Sequence, residues 1–408
     1  MKRRLALVFG FVFIDVLGYS LILPLLPYYA GQFGASLTVV GLLSTSNAVA
    51  KLIAAPVIGR LSDRYGRRPL LIFSIVGTVL SFLVLGFANS LFLLFLSRVL
   101  DGLLGGNVAL ARAYITDITD QENRARGLGR IGAAFGIGFI IGPAIGGFLS
   151  QFGYAVPAFV AAGFSLLNLI AVIIWLPESL PEEKQGESSR SRFNIQEIWE
   201  ALHRPCMGPL LLVRLGQSLA FGLFQTNFSL YAKSHLGLEA QSTSYILTYV
   251  GLLSALTQGL IVGELTDRFP EKRLLFVMAI VLTISLFAWG WVGNVWTLLV
   301  VMAPLAFSTG VLNTVIGSLL TKSVYEKEVG GTLGLSSSAR TLSQIVTPTT
   351  GAFLLEQTGP WAVGLLGAAL MGGVAYYSHE AILPISEEEM AGCREAGAKE
   401  GAASGNST

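Results

Sequence analysis

Apolar residues in this chain fall in long unbroken runs separated by short polar breaks, not in the alternation of half-buried strands or the stripes of surface helices. A helix rising about 1.5 Å per residue needs roughly 20 apolar residues to cross a hydrocarbon layer about 30 Å thick. The pattern predicts twelve such helices, near residues 5–29, 38–60, 69–88, 91–114, 128–150, 154–176, 208–232, 243–265, 274–292, 295–320, 331–355 and 361–383. The first run is too long for a removed signal peptide and has no small-residue cleavage site; an uncleaved anchor would span equally well. The longest polar segment, Pro177 to Arg204, opens as a Pro/Glu/Ser linker. It continues with Phe193, Ile195, Ile198, Trp199 and Leu202 at helical spacing, which predicts a helix lying on the membrane surface or packed on the bundle. Residues 385–408 are acidic, then rich in Gly, Ala and Ser, a composition expected to stay disordered. The expected organisation is a first bundle over 1–176, a linker over 177–207, a second bundle over 208–384 and a tail.

Composition supports this reading. Charged residues make up 13% of the 408, against about 25% in soluble domains, and mean hydropathy is +0.65. Two cysteines exclude a disulfide scaffold, and a net charge of +2 excludes the basic surface of a nucleic-acid binder. The fold class is therefore an all-α polytopic membrane protein. With the N-terminus cytoplasmic, 21 of the 27 basic residues fall on one side, Lys233 stands alone on the other, and Lys51, Arg98, Arg112, Arg214 and Arg340 lie inside spans. The positive-inside rule then puts both termini in the cytoplasm.

A duplication is visible. Gly59-Arg60-Leu61-Ser62-Asp63-Arg64-Tyr65 recurs as Gly263-Glu264-Leu265-Thr266-Asp267-Arg268-Phe269, 204 residues on, and Ile141-Gly142-Pro143 echoes in Val346-Thr347-Pro348 at an offset of 205. Two echoes at nearly one offset predict two pseudo-symmetric six-helix bundles in parallel orientation, an arrangement in which transporters bind substrate between halves.

The loop Gly59–Pro69, with sequence GRLSDRYGRRP, combines a glycine suited to close helix approach (Gly59), one suited to a tight turn (Gly66), a carboxylate near helix ends (Asp63), and three arginines (Arg64, Arg67, Arg68). The arginines suit carboxylates or anionic lipid headgroups. This loop resembles the signature loop of the major facilitator superfamily, and the resemblance runs over all twelve spans. It implies the major facilitator fold and a latch between halves, with Asp63 facing Gly330 and Gly331, and Asp117 paired with Arg67. The second copy, interrupted by Pro270 and Glu271, would latch more weakly. Three stretches are similar to the tetracycline and multidrug proton antiporter branch: Asp15-Val16-Leu17-Gly18 with Pro24 and Pro27; Arg98 with Asp101, Gly102, Gly105 and Gly106; and Gly138, Gly142-Pro143, Gly146-Gly147. Independently of that likeness, Gly138, Gly142 and Gly146 lie at i, i+4 and i+8 and make a flat helix face for close packing.

Ionisable groups at membrane depth are costly unless paired, neutralised or wet, and by default mark function. Asp15 is the expected proton carrier, with Arg98 and Asp101, which share a helix face, tuning it; the alternative for Arg98 and Asp101 is a static ion pair locking the bundle. Lys51 can neutralise Asp15 or Asp101 or meet an anionic substrate. Tyr19, Lys51, Gln217, Phe221, Phe224, Gln225, Asn313, Arg340 and Gln344 are the expected cavity residues; on the seventh span the aromatic and amide groups of one face suit a large amphipathic compound, and helix–helix packing accounts for them equally. Phosphate-loop and zinc-helix signatures are absent, and His203, His235 and His379 are scattered, so neither an enzyme, a cofactor nor a metal site is expected. The resemblance implies a monomeric cell-membrane exporter of a small drug-like compound, exchanged for protons by alternating access. A facilitator or proton symporter for a nutrient or organic anion is the alternative, and a non-transporting receptor or scaffold is a further one.

Overall fold

The computed structural model describes residues 2–119, 121–180, 199, 203–325, 328–386 and 389. The amphipathic stretch over 193–202, apart from Trp199, and the tail beyond 389 lie outside the described residues. Among these residues the chain is helical and has no strand.

Membrane-length helices follow the predicted order: α1 Leu5–Gly31, α2 Leu37–Tyr65, α3 Arg67–Gly86, α4 Leu91–Ile118, α5 Gly129–Phe152, α6 Ala155–Trp175, α7 Met207–Ser234, α8 Ala240–Arg268, α9 Glu271–Trp289 and α10 Val295–Lys322. They continue with α11 Val329–Gln357 and α12 Pro360–Ala381. Eleven are apolar enough to span on composition alone. The exception is α11, which has the required length but carries Thr332, Ser336, Ser337, Ser338, Thr341, Ser343 and Thr347. The hydroxyls of Thr332, Ser337, Ser338, Thr341 and Thr347 fold back onto carbonyls of the preceding turn, and Ser343 donates to Ser218 O on α7 at 2.6 Å, so a polar helix need not leave donors bare.

Local chemistry sets the ends and the breaks. Ser36 caps α2 by accepting from the Val39 amide, and Asn294 caps α10 by accepting from the Thr297 amide at 2.9 Å. Pro24 and Pro27 remove donors from α1, which passes through a short 3-10 turn at Leu23–Leu25. α4 breaks at Gly105 and Gly106, and α8 contains a π segment at Thr257–Ile261.

The chain divides into two compact units, Met1–Arg192 with Ser229–Gly251, and Phe193–Phe228 with Leu252–Thr408. In the first, α1 packs on α5 and α6, α3 on α4 and α6, and α2 on α4. Val8, Phe11, Val12, Leu71, Ile75, Leu110 and Tyr114 fill the core among them. The end of α7 and start of α8 join this unit: Tyr28 Oη meets Thr243 Oγ1 at 2.6 Å, and Lys233 Nζ donates to Pro27 O at 3.0 Å. In the second unit, α9 packs on α10 and α12 around Leu282, Leu286, Leu298, Met302, Leu305 and Leu312. Large apolar side chains such as Ile53, Leu167, Ile174, Ile284 and Val300 stay exposed, the surface a bilayer would cover.

Candidate functional site

Three polar assemblies stand out. The first is the loop between α2 and α3. Gly66 has φ +96°, a conformation open to glycine, and a Cβ there would press on the Glu178 carboxylate. That carboxylate accepts from the amides of Arg67 (2.9 Å) and Arg68 (3.0 Å), capping the start of α3, where exposed amides and the helix dipole favour negative charge. Arg67 reaches Asp63 at 2.6 Å, Asp117 at 3.0 Å and Ser62 Oγ at 2.5 Å, so one guanidinium ties α2, α3 and α4 together. Arg68 donates to Ile173 O at 2.7 Å, and Arg64 lies over the ring of Tyr65. Close helix approach does not account for Gly59, since a Cβ there would meet open space. Glu178 escapes sequence reasoning because it is remote in the chain and reads as linker.

The second copy of this loop keeps a pairing but reverses its charges. At the duplication offset Glu271 stands where Arg67 does. It accepts from Ser318 Oγ at 2.8 Å and pairs with Lys322 at 3.0 Å, beside the position equivalent to Asp117. Arg268 pairs with Glu264 at 2.5 Å within one helix.

The second assembly is buried in the first unit. The break at Gly105-Gly106 lets Asn107 begin a new helical segment with its amide turned inward. The amide donates to Asp15 Oδ1 at 2.5 Å and to Thr78 Oγ1 at 3.0 Å, while its own oxygen is buried without a partner among the described residues. Lys51 settles on Asp101 at 3.4 Å and lies 4.6 Å from the centre of the Tyr19 ring. Asn47 donates to Asp101 Oδ2 and to Arg98 O, both at 2.8 Å. Arg98 is only 2% exposed; it feels the Asp101 charge but forms no ion pair with it among the described residues, donating instead to Ser97 Oγ and lying near the Phe82 ring. A cavity of about 30 Å³, room for one or two waters, is lined by Tyr19, Leu23, Leu26, Ser44, Asn47 and Arg98. Close packing of α5 on α1 backs this cluster: a Cβ at Gly138 would press on Val16, at Gly142 on Ser20, and at Gly146 on the Leu21 backbone. Pro143 sits inside the uninterrupted helix, and Gly147 faces Ser244. Asn107 and Asn47 are partners of the two acids that an inventory of charges overlooks; an amide just after a glycine pair at membrane depth is the signal for Asn107.

The third assembly lies in the second unit. Arg214, 7% exposed, donates from Nη1 to Asn313 Oδ1 at 2.9 Å and Gln217 Oε1 at 3.1 Å. The charge of Arg340 acts on it. Arg340, Gln344 and Gln225 are exposed on this unit and Phe221 is partly so. Phe224, by contrast, is enclosed by Phe221, Phe228 and the Trp289 ring and is 1% exposed, which makes it a packing residue and not a wall of open space.

The sequence profile of the Major Facilitator Superfamily matches residues 8–256 and 210–403. The chain belongs to that superfamily. Human solute carrier family 67 member A1 is 32% identical over 359 residues, covering 85% of this chain and 84% of the relative. The class H tetracycline resistance protein of Pasteurella multocida is 27% identical over 385 residues, 92% of this chain and 94% of the relative. Among solved structures, that of the human organic anion transporter MFSD10 (TETRAN) superposes with a TM-score of 0.71 at 22% identity, covering 92% of this chain and 99% of that one, a likeness of fold. This superfamily member is a multi-pass membrane transporter of small molecules and not an enzyme.

Proposed function

We propose that the protein exports a small amphipathic, drug-like compound across the cell membrane in exchange for protons, by alternating access. The observation that carries this reading is Asp15: a carboxylate in the middle of α1 whose hydrogen-bond partner is a neutral amide, while the nearby cation Lys51 pairs with Asp101. Such a group is free to change protonation without breaking an ion pair. As a carboxylate it accepts from Asn107; once protonated it becomes a donor, and the oxygen of Asn107, without a partner among the described residues, is an acceptor within reach after rotation of the amide. Asp101, held by Lys51 and Asn47 in the field of Arg98, sets the local charge that Asp15 works against.

The tetracycline resistance relative supports a drug-like substrate, and the glycine face of α5 against α1 supports a rigid backing for the proton site. The loop centred on Arg67 serves as the conformational latch, with Arg64 and Arg68 near anionic lipid headgroups, both termini cytoplasmic and the protein a monomer. Symport or facilitated passage of an organic anion is the second reading, favoured by Lys51 and Arg340.

The test is Asp15→Asn in proteoliposomes loaded with tetracycline under an imposed pH gradient. Gradient-driven efflux falls by about 100-fold or more, the scale of losing a positioned proton-transfer group, while thermal unfolding stays near wild type. An unchanged rate overturns the assignment, and inward movement under the same gradient favours the second reading.

A further inference from the structure

In the second unit the cluster around Arg214 contains donors in excess. A guanidinium can only donate, so the two amides facing it, Asn313 and Gln217, must present their oxygens to Arg214 and turn their NH2 groups away. Arg214 Nε is itself buried with no hydrogen-bond partner among the described residues, as is the hydroxyl of Thr309, one turn before Asn313 on α10. Arg340 adds a second positive charge close enough to act on the first.

These groups also lie deep. At about 1.5 Å per residue, Arg214 sits about 10 Å from the start of α7, Asn313 about 13 Å from the end of α10 and Arg340 about 16 Å from the start of α11. The sequence places no Asp or Glu at that depth in α7–α12: Glu264, Asp267, Glu271, Glu356 and Glu380 all stand in the last or first two turns of their helices. In the first bundle Asp15 and Asp101 balance Lys51 and Arg98. A buried guanidinium held in a membrane interior by neutral amide oxygens, as Arg214 is, is a configuration that an added anion relieves.

We propose that Arg214, Arg340, Asn313 and Gln217 form the binding site for an anionic group, a carboxylate or its equivalent, on the transported compound. Arg214 is the buried anchor; Arg340, which is exposed, and Asn313, half-buried, form its accessible rim. This deepens, and rests on, the reading of the protein as an exporter of amphipathic solutes, because it names the charge those solutes carry.

The test uses the purified full chain in neutral detergent and two probes built on one xanthene scaffold, fluorescein as the anion and rhodamine 6G as the cation, with binding read by fluorescence polarisation. Wild type prefers fluorescein. Arg214→Gln weakens fluorescein by about 10- to 100-fold, the scale of a charge-assisted hydrogen bond. Arg340→Gln weakens it by about 3- to 10-fold, Arg214→Lys falls between wild type and Arg214→Gln, and rhodamine 6G changes by less than about twofold. Should Arg214→Gln not fold, Arg340→Gln, at an exposed position, carries the comparison. Equal binding of both probes by wild type, or fluorescein affinity untouched in the variants, overturns the site. Proteoliposome efflux, measured separately, decides the exporter reading: absent efflux with intact fluorescein preference sinks that reading and leaves the anion site standing.

Discussion

Lys51 and Asp101 form an ion pair whose two members are not equally replaceable. At 3.4 Å the attraction is about 5 kcal/mol at an effective dielectric of about 20 and about 1 kcal/mol in water. The Lys51 side chain is 36% exposed and that of Asp101 7%, so solvent screens the pair toward the lower end. Lys51→Met therefore costs about 1–2 kcal/mol, because Asp101 keeps its hydrogen bond from Asn47 and the field of Arg98. Asp101→Asn is different. Lys51 can swing toward water, but Arg98, 2% exposed, is left as a buried charge without its neighbouring carboxylate, a situation that costs about 3–5 kcal/mol.

Thermal unfolding of the purified chain, followed through its six tryptophans, reads this difference. For a cooperative unit of roughly 200 residues, each kcal/mol shifts the midpoint by about 2–4 °C. Asp101→Asn then lowers it by about 6–20 °C and Lys51→Met by about 2–8 °C, the larger loss always with Asp101. Adding Arg98→Gln to Asp101→Asn recovers part of the loss. Equal shifts for the two single variants, or a double variant worse than Asp101→Asn, would refute the view that Asp101 chiefly balances Arg98.

At the loop between α2 and α3, Glu178→Gln removes the charge that caps α3 and lowers stability by about 1–2 kcal/mol, measured as a fall in the unfolding midpoint; no fall means that the carboxylate is a bystander. In the second copy, Glu271→Lys lowers stability by about 0.3–1 kcal/mol, the modest worth of a pair whose Lys322 is 59% exposed. Exchanging both charges, with Glu271→Lys and Lys322→Glu together, restores it, and purely additive losses in the double variant discard the reversed-charge pair.

The twelve helices follow from the order of residues alone, since an apolar run of sufficient length has one way to satisfy its backbone in lipid. Observed ends lie within a few residues of those expected, and even α11, too polar to qualify by composition, appears where the duplication requires a helix. The superfamily loop was likewise legible as a short motif, and the resemblance it carries implied the pairing of Arg67 with Asp117 that the structure has at 3.0 Å.

Partners chosen across long separations were not. Whether Lys51 meets Asp15 or Asp101 depends on where α2 crosses α4, and the approach at Gly102, where a Cβ would strike Ala50 and the Asn47 carbonyl, brings Lys51 to Asp101. Asn107 became the companion of Asp15 only because α4 breaks at Gly105-Gly106 and turns that amide inward. Phe224 shares a helical stripe with Phe221, yet the ring of Trp289 seals it into the core. Arg214 looked like one more basic residue in a span until folding surrounded it with amide oxygens. Helix formation is local and follows from composition, whereas the pairing of buried charges is settled by which helix faces meet, and that information resides in packing.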